Sequence, residues 1–237
     1  GPAQTTPVGG AAQGGSAGGP QLKGCGTNLL AAMDESGWFG GEPTSEKDNP
    51  CGLQGAAYAF SDPGLDQLPG TGDDTLQDPP AVPGTPEQRQ SPCKGGKCCI
   101  SGKTSLWPIV NGEYDYSSVW GAGIGFSLND PGTGEPTLPY KGPAAGFRIR
   151  LSGKLEGQSV RIAFTQVYYD ESAPFVNTTT LGEKEVLFTD PACPTWSATC
   201  IDPGEYPHDL QIFVVGGDNA GDYQICVDSI VPIPILI

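Results

Sequence analysis

Basic and titratable side chains are scarce in this chain. It carries 12 lysines and arginines against 27 aspartates and glutamates, a net charge of −15, one histidine and one methionine. So few cations cannot neutralise a phosphate backbone, which excludes nucleic acid as a partner. The same balance argues against anionic lipid. No apolar run is long enough to span a bilayer, so membrane insertion is not expected. The lone histidine, His208, would be the only base for a Ser-His-Asp arrangement, and no G-x-S-x-G turn accompanies it. His208 therefore reads as a surface or strand-start residue. P-loop and dinucleotide-binding glycine patterns are missing as well, and no stretch shows a helical period. These absences predict a helix-poor protein that is not an enzyme.

Glycine and proline are abundant instead, 36 and 24 residues, and they crowd the first hundred positions. Residues 1–24 are low-complexity Gly/Ala/Pro/Gln/Ser, which cannot bury enough apolar surface to offset their own ordering entropy. Alone, such a segment is a flexible tether. Its small side chains also let backbones approach closely, so it is expected to lie on a neighbouring subunit as an added β-strand. The chain opens with Gly rather than Met and reads as a mature or processed form. Residues 63–97 are a second Pro/Gly/Asp-rich stretch, too rich in proline for a central strand and long for a loop. Its aspartates, Asp62, Asp66, Asp73, Asp74 and Asp78, lack the D-x-[DN]-x-[DN]-G spacing of an EF-hand loop and read as solvated.

Period-2 patterning fills the rest. Weak strands are expected between residues 27 and 62, where Leu29, Leu30, Met33, Trp38, Phe39, Leu53, Ala57, Ala59 and Phe60 supply apolar positions. Stronger strands follow. CCISGKTSLW is one, and WGAGIGFSLN alternates Ile124, Phe126 and Leu128 with glycines and Ser127. GFRIRLSG puts Phe147, Ile149 and Leu151 opposite Arg148 and Arg150. SVRIAFTQVYYD sets Val160, Ile162 and Phe164 against Arg161, Ala163 and Thr165. KEVLFTD is a short strand. The clearest signal is His208–Val231, where two alternating runs flank Gly216–Gly221 and predict a hairpin at the centre of an antiparallel sheet. Strands separated by Gly/Pro turns, with no helix, predict a β-sandwich whose core is about 10 Å thick. The last residues, VPIPILI, are apolar and proline-interrupted, and an exposed apolar tail would pack on its own domain or on a partner.

The eight cysteines point to disulfides in an oxidising, extracellular or cell-surface compartment. Eight allow 105 pairings. Cys193–Cys200 closes a short loop, and Cys99–Cys226 ties the middle of the chain to its last strand. Cys25–Cys51 and Cys93–Cys98 follow by elimination. A zinc site is not expected, because the C-x4-C-C cluster lacks a second cysteine pair and the histidine is distant.

Trp120–Phe126, Gly146–Ile149 and Tyr223–Ile230, with Asn49–Asp62 before them, resemble strands of one known group. They are similar to the galactose-binding-like jelly rolls of bacterial carbohydrate-binding modules and of myxobacterial surface proteins. The resemblance spans roughly residues 27–231, although Ala57-Tyr58 stands where a Trp-Tyr pair is usual. It implies a jelly-roll sandwich and a structural calcium joining first and last strands, with Asp34, Glu35 and Asp228 as oxygen donors. It also implies a polysaccharide partner. A sugar-binding surface needs exposed aromatic rings, for which Trp38, Tyr168, Tyr169 and Trp196 are candidates, whereas Trp107 and Trp120 are expected in the core. Asn177-Thr178-Thr179 matches a glycosylation sequon, read as incidental in a bacterial protein.

The expected organisation is an arm (1–24), a disulfide-braced, long-looped antiparallel β-sandwich (25–231) and an apolar tail (232–237). The expected role is that of a non-catalytic extracellular structural protein, a filament or assembly subunit whose arm docks on the next copy. The alternative is a monomeric carbohydrate-binding or adhesion module.

Overall fold

The computed structural model describes residues 26–34, 37–39, 51–62, 75–79, 91–115, 119–130, 138–165, 173–193 and 207–235. Their backbone is extended almost throughout. After a short 3-10 turn at Leu29–Ala32 come β1 (Trp38–Phe39), β2 (Gly55–Ser61), β3 (Leu76–Asp78), β4 (Cys93–Lys94) and β5 (Lys97–Thr104). Next are β6 (Ile109–Val110), β7 (Glu113–Tyr114), β8 (Gly121–Ser127), β9 (Ala144–Lys154) and β10 (Val160–Thr165). The set closes with β11 (Phe175–Thr178), β12 (Gly182–Leu187), β13 (Asp209–Val215) and β14 (Gly221–Pro234).

Two antiparallel sheets stack as an all-β sandwich. The first has the order β1-β2-β8-β13-β10-β11, and the second β12-β9-β14-β5-β3 with β4 also on β5. β6 and β7 form a separate two-stranded ribbon. Alternation assigns the faces. Ile124 and Phe126, Leu210 and Ile212, and Val160 and Phe164 point inward from the first sheet and meet Ile100, Phe147, Ile149, Tyr223 and Ile225 from the second. Burying each such side chain contributes roughly 1.5–3 kcal/mol. The second sheet's outer face is charged, with Arg148 between Glu183 and Glu185 of β12.

The expected hairpin at His208–Val231 does not form. β13 pairs with β8 and β10, β14 pairs with β5 and β9, and Gly216–Gly221 crosses from one sheet to the other. The crossing's backbone groups are taken by other segments. Gly216 N–H donates to Trp120 O at 3.0 Å and Gly217 N–H to Ser105 O at 2.8 Å. Period-2 alternation marks a strand but not its neighbour, and here both runs have an apolar face that only a central position buries.

Most of the expected tail is strand. Val231 to Pro234 continue β14 along β9, and Ile235 N–H reaches Pro143 O at 2.8 Å. The prolines fit because the pairing of β14 with β5 stops at Cys98, opposite Val227. Ile230 N–H, on the side away from β9, donates to Asn28 Oδ1 at 2.9 Å. Pro232 and Pro234 face that same side, where no ladder needs their missing donors.

Cys93–Cys98 and Cys99–Cys226 are disulfides between directly paired residues. Cys51 and Cys193 are also disulfide-bonded. Cys25 and Cys200, with which the sequence reading joined them, lie outside the described residues.

Candidate functional site

Three places collect side chains that could meet something other than the protein itself. The first is the ribbon. It leaves the end of β5, where Thr104 donates its hydroxyl to Asn219 O at 2.6 Å. Trp107 N–H then bonds Gly217 O at 3.1 Å, and the indole lies over Gly217 so closely that a Cβ there would fall 1.9 Å from Nε1. Asn111 and Gly112 turn β6 into β7 with φ of 54° and 87°. These are the positive dihedrals of the two-residue hairpin turn that Asn-Gly favours. Tyr114 meets Trp107 edge-on, with centroids 6.3 Å apart. Leu106, Ile109, Val110 and Tyr114 stay more than half exposed, Ile109 at 66%.

The second place is the outer face of the first sheet, which is aromatic where a solvent-facing sheet is usually polar. Phe60 stacks with Trp120 at 6.0 Å, and Phe60 meets Phe213 at 6.1 Å. The Arg161 guanidinium lies 4.4 Å above the Phe175 ring and 5.8 Å from that of Phe213. Burial lowers its pKa, opposed by the charge of Asp218. Gly123 and Gly125 of β8 form the floor under these rings. A Cβ at Gly125 would sit 2.1 Å from Tyr58 Cζ, and one at Gly123 would sit 2.6 Å from Phe60 Cζ. The rings therefore fill the glycine stripe, which leaves no open trough there.

The third place is one end of that same face. Asp209 is fully buried beside its register partners Ser127 and Thr165. Thr165 Oγ1 donates to Oδ2 at 3.4 Å, while Oδ1 meets no donor. Burial pushes this carboxyl up to about 7, against the hydrogen bonds of Ser127 and Thr165; Asp130 pushes the same way as burial.

The sequence-nominated residues are scattered. The Asp228 carboxylate holds Lys97 Nζ at 2.7 Å and accepts from the Ser152 hydroxyl at 3.0 Å. Burial raises its pKa, but the bonds from Lys97 and Ser152 and the charges of Lys97 and Arg150 outweigh that and lower it. Asp34 Oδ1 accepts from Trp38 N–H at 3.0 Å, which closes the turn before β1. Glu35 lies outside the described residues, as do Tyr168, Tyr169, Trp196, Asp66, Asp73 and Asp74. Among the described residues, no three His, Cys, Asp or Glu side chains are grouped to hold a metal. Trp38 is half-buried, and so are Trp107 and Trp120, which the sequence reading placed in the core. Asp62, read as solvated, is instead fully buried. Its Oδ2 accepts from Gly121 N–H at 2.7 Å and from the Thr75 hydroxyl at 2.9 Å, tying the long loop to β8. His208 precedes β13 and donates its N–H to Thr165 O at 2.6 Å.

The sequence reading missed the ribbon, and its signal was present: Asn111-Gly112 between apolar Ile109-Val110 and Tyr114. The Asp209 nest had no such signal, since three strand ends far apart in sequence build it. Comparison with protein-family models gives no match, and comparison with curated proteins gives none.

Proposed function

We propose that this chain is a non-catalytic structural subunit that works outside the cell by self-association. The observation that carries this reading is the projecting ribbon with its exposed Leu106, Ile109, Val110 and Tyr114. Exposed apolar side chains gathered on one projection mark a protein contact. Acid and base groups are spent on the fold: Asp62 on a loop, Asp228 on Lys97, and Asp209 inside a sheet. Disulfides between paired strands suit an oxidising, extracellular compartment.

The N-terminal arm adds as a strand on a neighbouring copy. The longest sheet edge among the described residues is β12, which carries Glu183, Lys184 and Glu185. Charged edges resist casual pairing, whereas a strand of Gly and Ala brings no bulk against them. Sedimentation velocity of the oxidised protein over a range of concentrations tests the reading. Species larger than a monomer are expected, and a monomer throughout rules it out. Removing residues 1–24 then separates the arm's contribution from that of the sandwich.

A second reading is a carbohydrate-binding or adhesion module, and one feature favours it. Trp107 and Tyr114 form an aromatic pair beside Asn111, Glu113 and Asp115, a ring-plus-amide-and-carboxylate set suited to a sugar. A glycan array on which the wild type and Tyr114→Ala are equally silent counts against it. Calcium held by Asp34, Glu35 and Asp228 belongs to this reading, and a melting temperature unmoved by calcium removes it.

A further inference from the structure

The chain has six asparagines, Asn28, Asn49, Asn111, Asn129, Asn177 and Asn219. An asparagine side chain converts itself when the next residue's backbone nitrogen reaches its carbonyl carbon. Three conditions favour this: an unbound side-chain amide, an unbound N–H after it, and no side chain crowding that nitrogen. Asn111 meets all three. It is exposed at the tip of the ribbon, and its amide has no hydrogen-bond partner among the described residues. Among those residues the Gly112 N–H has no acceptor either. Glycine offers no Cβ to obstruct the approach, and nothing lies within 4 Å of where one would stand.

The other five are each held back. Asn28 Oδ1 accepts from Leu30 N–H at 3.2 Å and from Ile230 N–H at 2.9 Å. Asn49 precedes Pro50, which has no N–H. Asn129 Nδ2 donates to Pro139 O at 3.1 Å, and the N–H of Asp130 is bound to Gln54 O at 2.9 Å. Asn219 Nδ2 donates to Gly157 O at 2.9 Å. Asn177 is exposed, but the residue after it is β-branched Thr178, held in the ladder with β10. The ribbon lacks such support, since its ladder consists of Ile109 with Tyr114 and Val110 with Glu113. A two-stranded ribbon is marginal by itself, so the turn opens locally to the dihedral that ring closure needs.

We propose that Asn111 is a self-modifying site, where the Gly112 nitrogen closes on the side-chain carbonyl and the ribbon tip passes from amide to carboxylate. Gly112 N gives its proton to water or hydroxide and bonds to Asn111 Cγ. The Cγ–Nδ2 bond breaks, and ammonia leaves with a proton taken from water. Water then opens the resulting cyclic imide. Cleavage at Cγ gives aspartate, and cleavage at the main-chain carbonyl gives isoaspartate, whose backbone runs through Cγ. No oxidant or reductant takes part. The product adds a negative charge beside Glu113, on a stretch, residues 105–115, that has no cation to offset it. Isoaspartate also adds a methylene group to a turn built for two residues of positive φ. The change follows whether or not the ribbon meets a second copy of the chain.

The test follows the full-length oxidised protein at physiological pH and temperature by peptide mapping. Trypsin releases residues 104–141 as one peptide, so Asn129 is an internal control for Asn111. The readout is the mass gain of replacing NH2 by OH, located by fragmentation. Asn111 is expected to convert about tenfold faster than Asn129, whose following N–H is bound. Isoaspartate formed there is expected to accept a methyl group from an isoaspartyl methyltransferase. Gly112→Ala is expected to slow the conversion about tenfold, because the added methyl crowds the attacking nitrogen. Equal rates at Asn111 and Asn129 overturn the proposal. So does a conversion that needs prior unfolding in urea, since the folded turn then guards the amide. If Gly112→Ala converts as fast as the wild type, the Gly112 nitrogen is not the nucleophile and the proposal falls.

Discussion

Gly112 and Gly217 have nearly the same backbone, φ of +87° and +88°, in very different settings. Nothing lies within 4 Å of where a Cβ would stand on Gly112, whereas the Trp107 ring occupies that place on Gly217. Both sit in turns between strands, and the turns touch through Trp107. The ribbon turn is closed by the β6–β7 pairing, and Tyr114 meets Trp107 at its base. The crossing at Gly216–Gly221 is bound to Trp120, Ser105 and Trp107 and delivers a strand to each sheet. A shared dihedral therefore says that glycine is needed but not how much of the fold depends on it. The ribbon is an appendage open to change, and the crossing is a junction of the core.

The contrast can be attacked from the junction side first. Cys99–Cys226 fastens β14 to β5 just below the crossing and joins positions 127 apart in sequence. Replacing both cysteines with alanine should cost about 5 kcal/mol in urea unfolding, against about 2 for the five-residue Cys93–Cys98 link. Equal losses would show that the junction is not where the fold is tied.

The far end of β13 gives the next largest effect. Asp209 has its pKa raised from 3.8 to about 7 by burial. Its contribution is fully present below about pH 4 and is lost as pH rises to about 7, a span worth on the order of 4 kcal/mol at most. Asp209→Asn should flatten that part of the stability–pH profile and stabilise the protein at pH 8. A wild-type profile already flat between pH 4 and 7 contradicts this.

The two glycines themselves give the closest comparison. Gly217→Ala should cost about 3 kcal/mol, combining backbone strain with displacement of Trp107. Gly112→Ala should cost about 1 kcal/mol from strain alone. Equal midpoints in chemical unfolding would mean that the indole moves aside freely and that the junction is looser than its contacts imply.

Strand positions and faces were readable where alternation was strong. Phe147, Ile149 and Leu151 do oppose Arg148 and Arg150, and Val160, Ile162 and Phe164 point into the core. What alternation cannot encode is which strand lies alongside, so two consecutive apolar runs looked like a hairpin and belong to different sheets. Prolines set the expected boundary between sandwich and tail at 231, too early by three residues. Pro232 and Pro234 were assigned to the apolar tail, yet a strand with no ladder on one side has no use for their missing N–H groups there. The Asp209 nest was hidden because Ser127, Thr165 and Asp209 become neighbours only through register. The aromatic outer face was hidden too, since Tyr58, Phe60 and Phe213 are unremarkable until the glycines of β8 are placed beneath them.

The second sheet has β14 in its middle, between β9 and β5, and among the described residues this strand comes last in sequence. During biosynthesis β5 and β9 are made well before it and have no ladder with each other. A nascent chain halted before Gly221 would hold two strands with a gap between them and Cys99 as a thiol awaiting its mate. Closure of the second sheet thus waits on β14, and a chain cut before that strand would keep an open, oxidation-prone sheet.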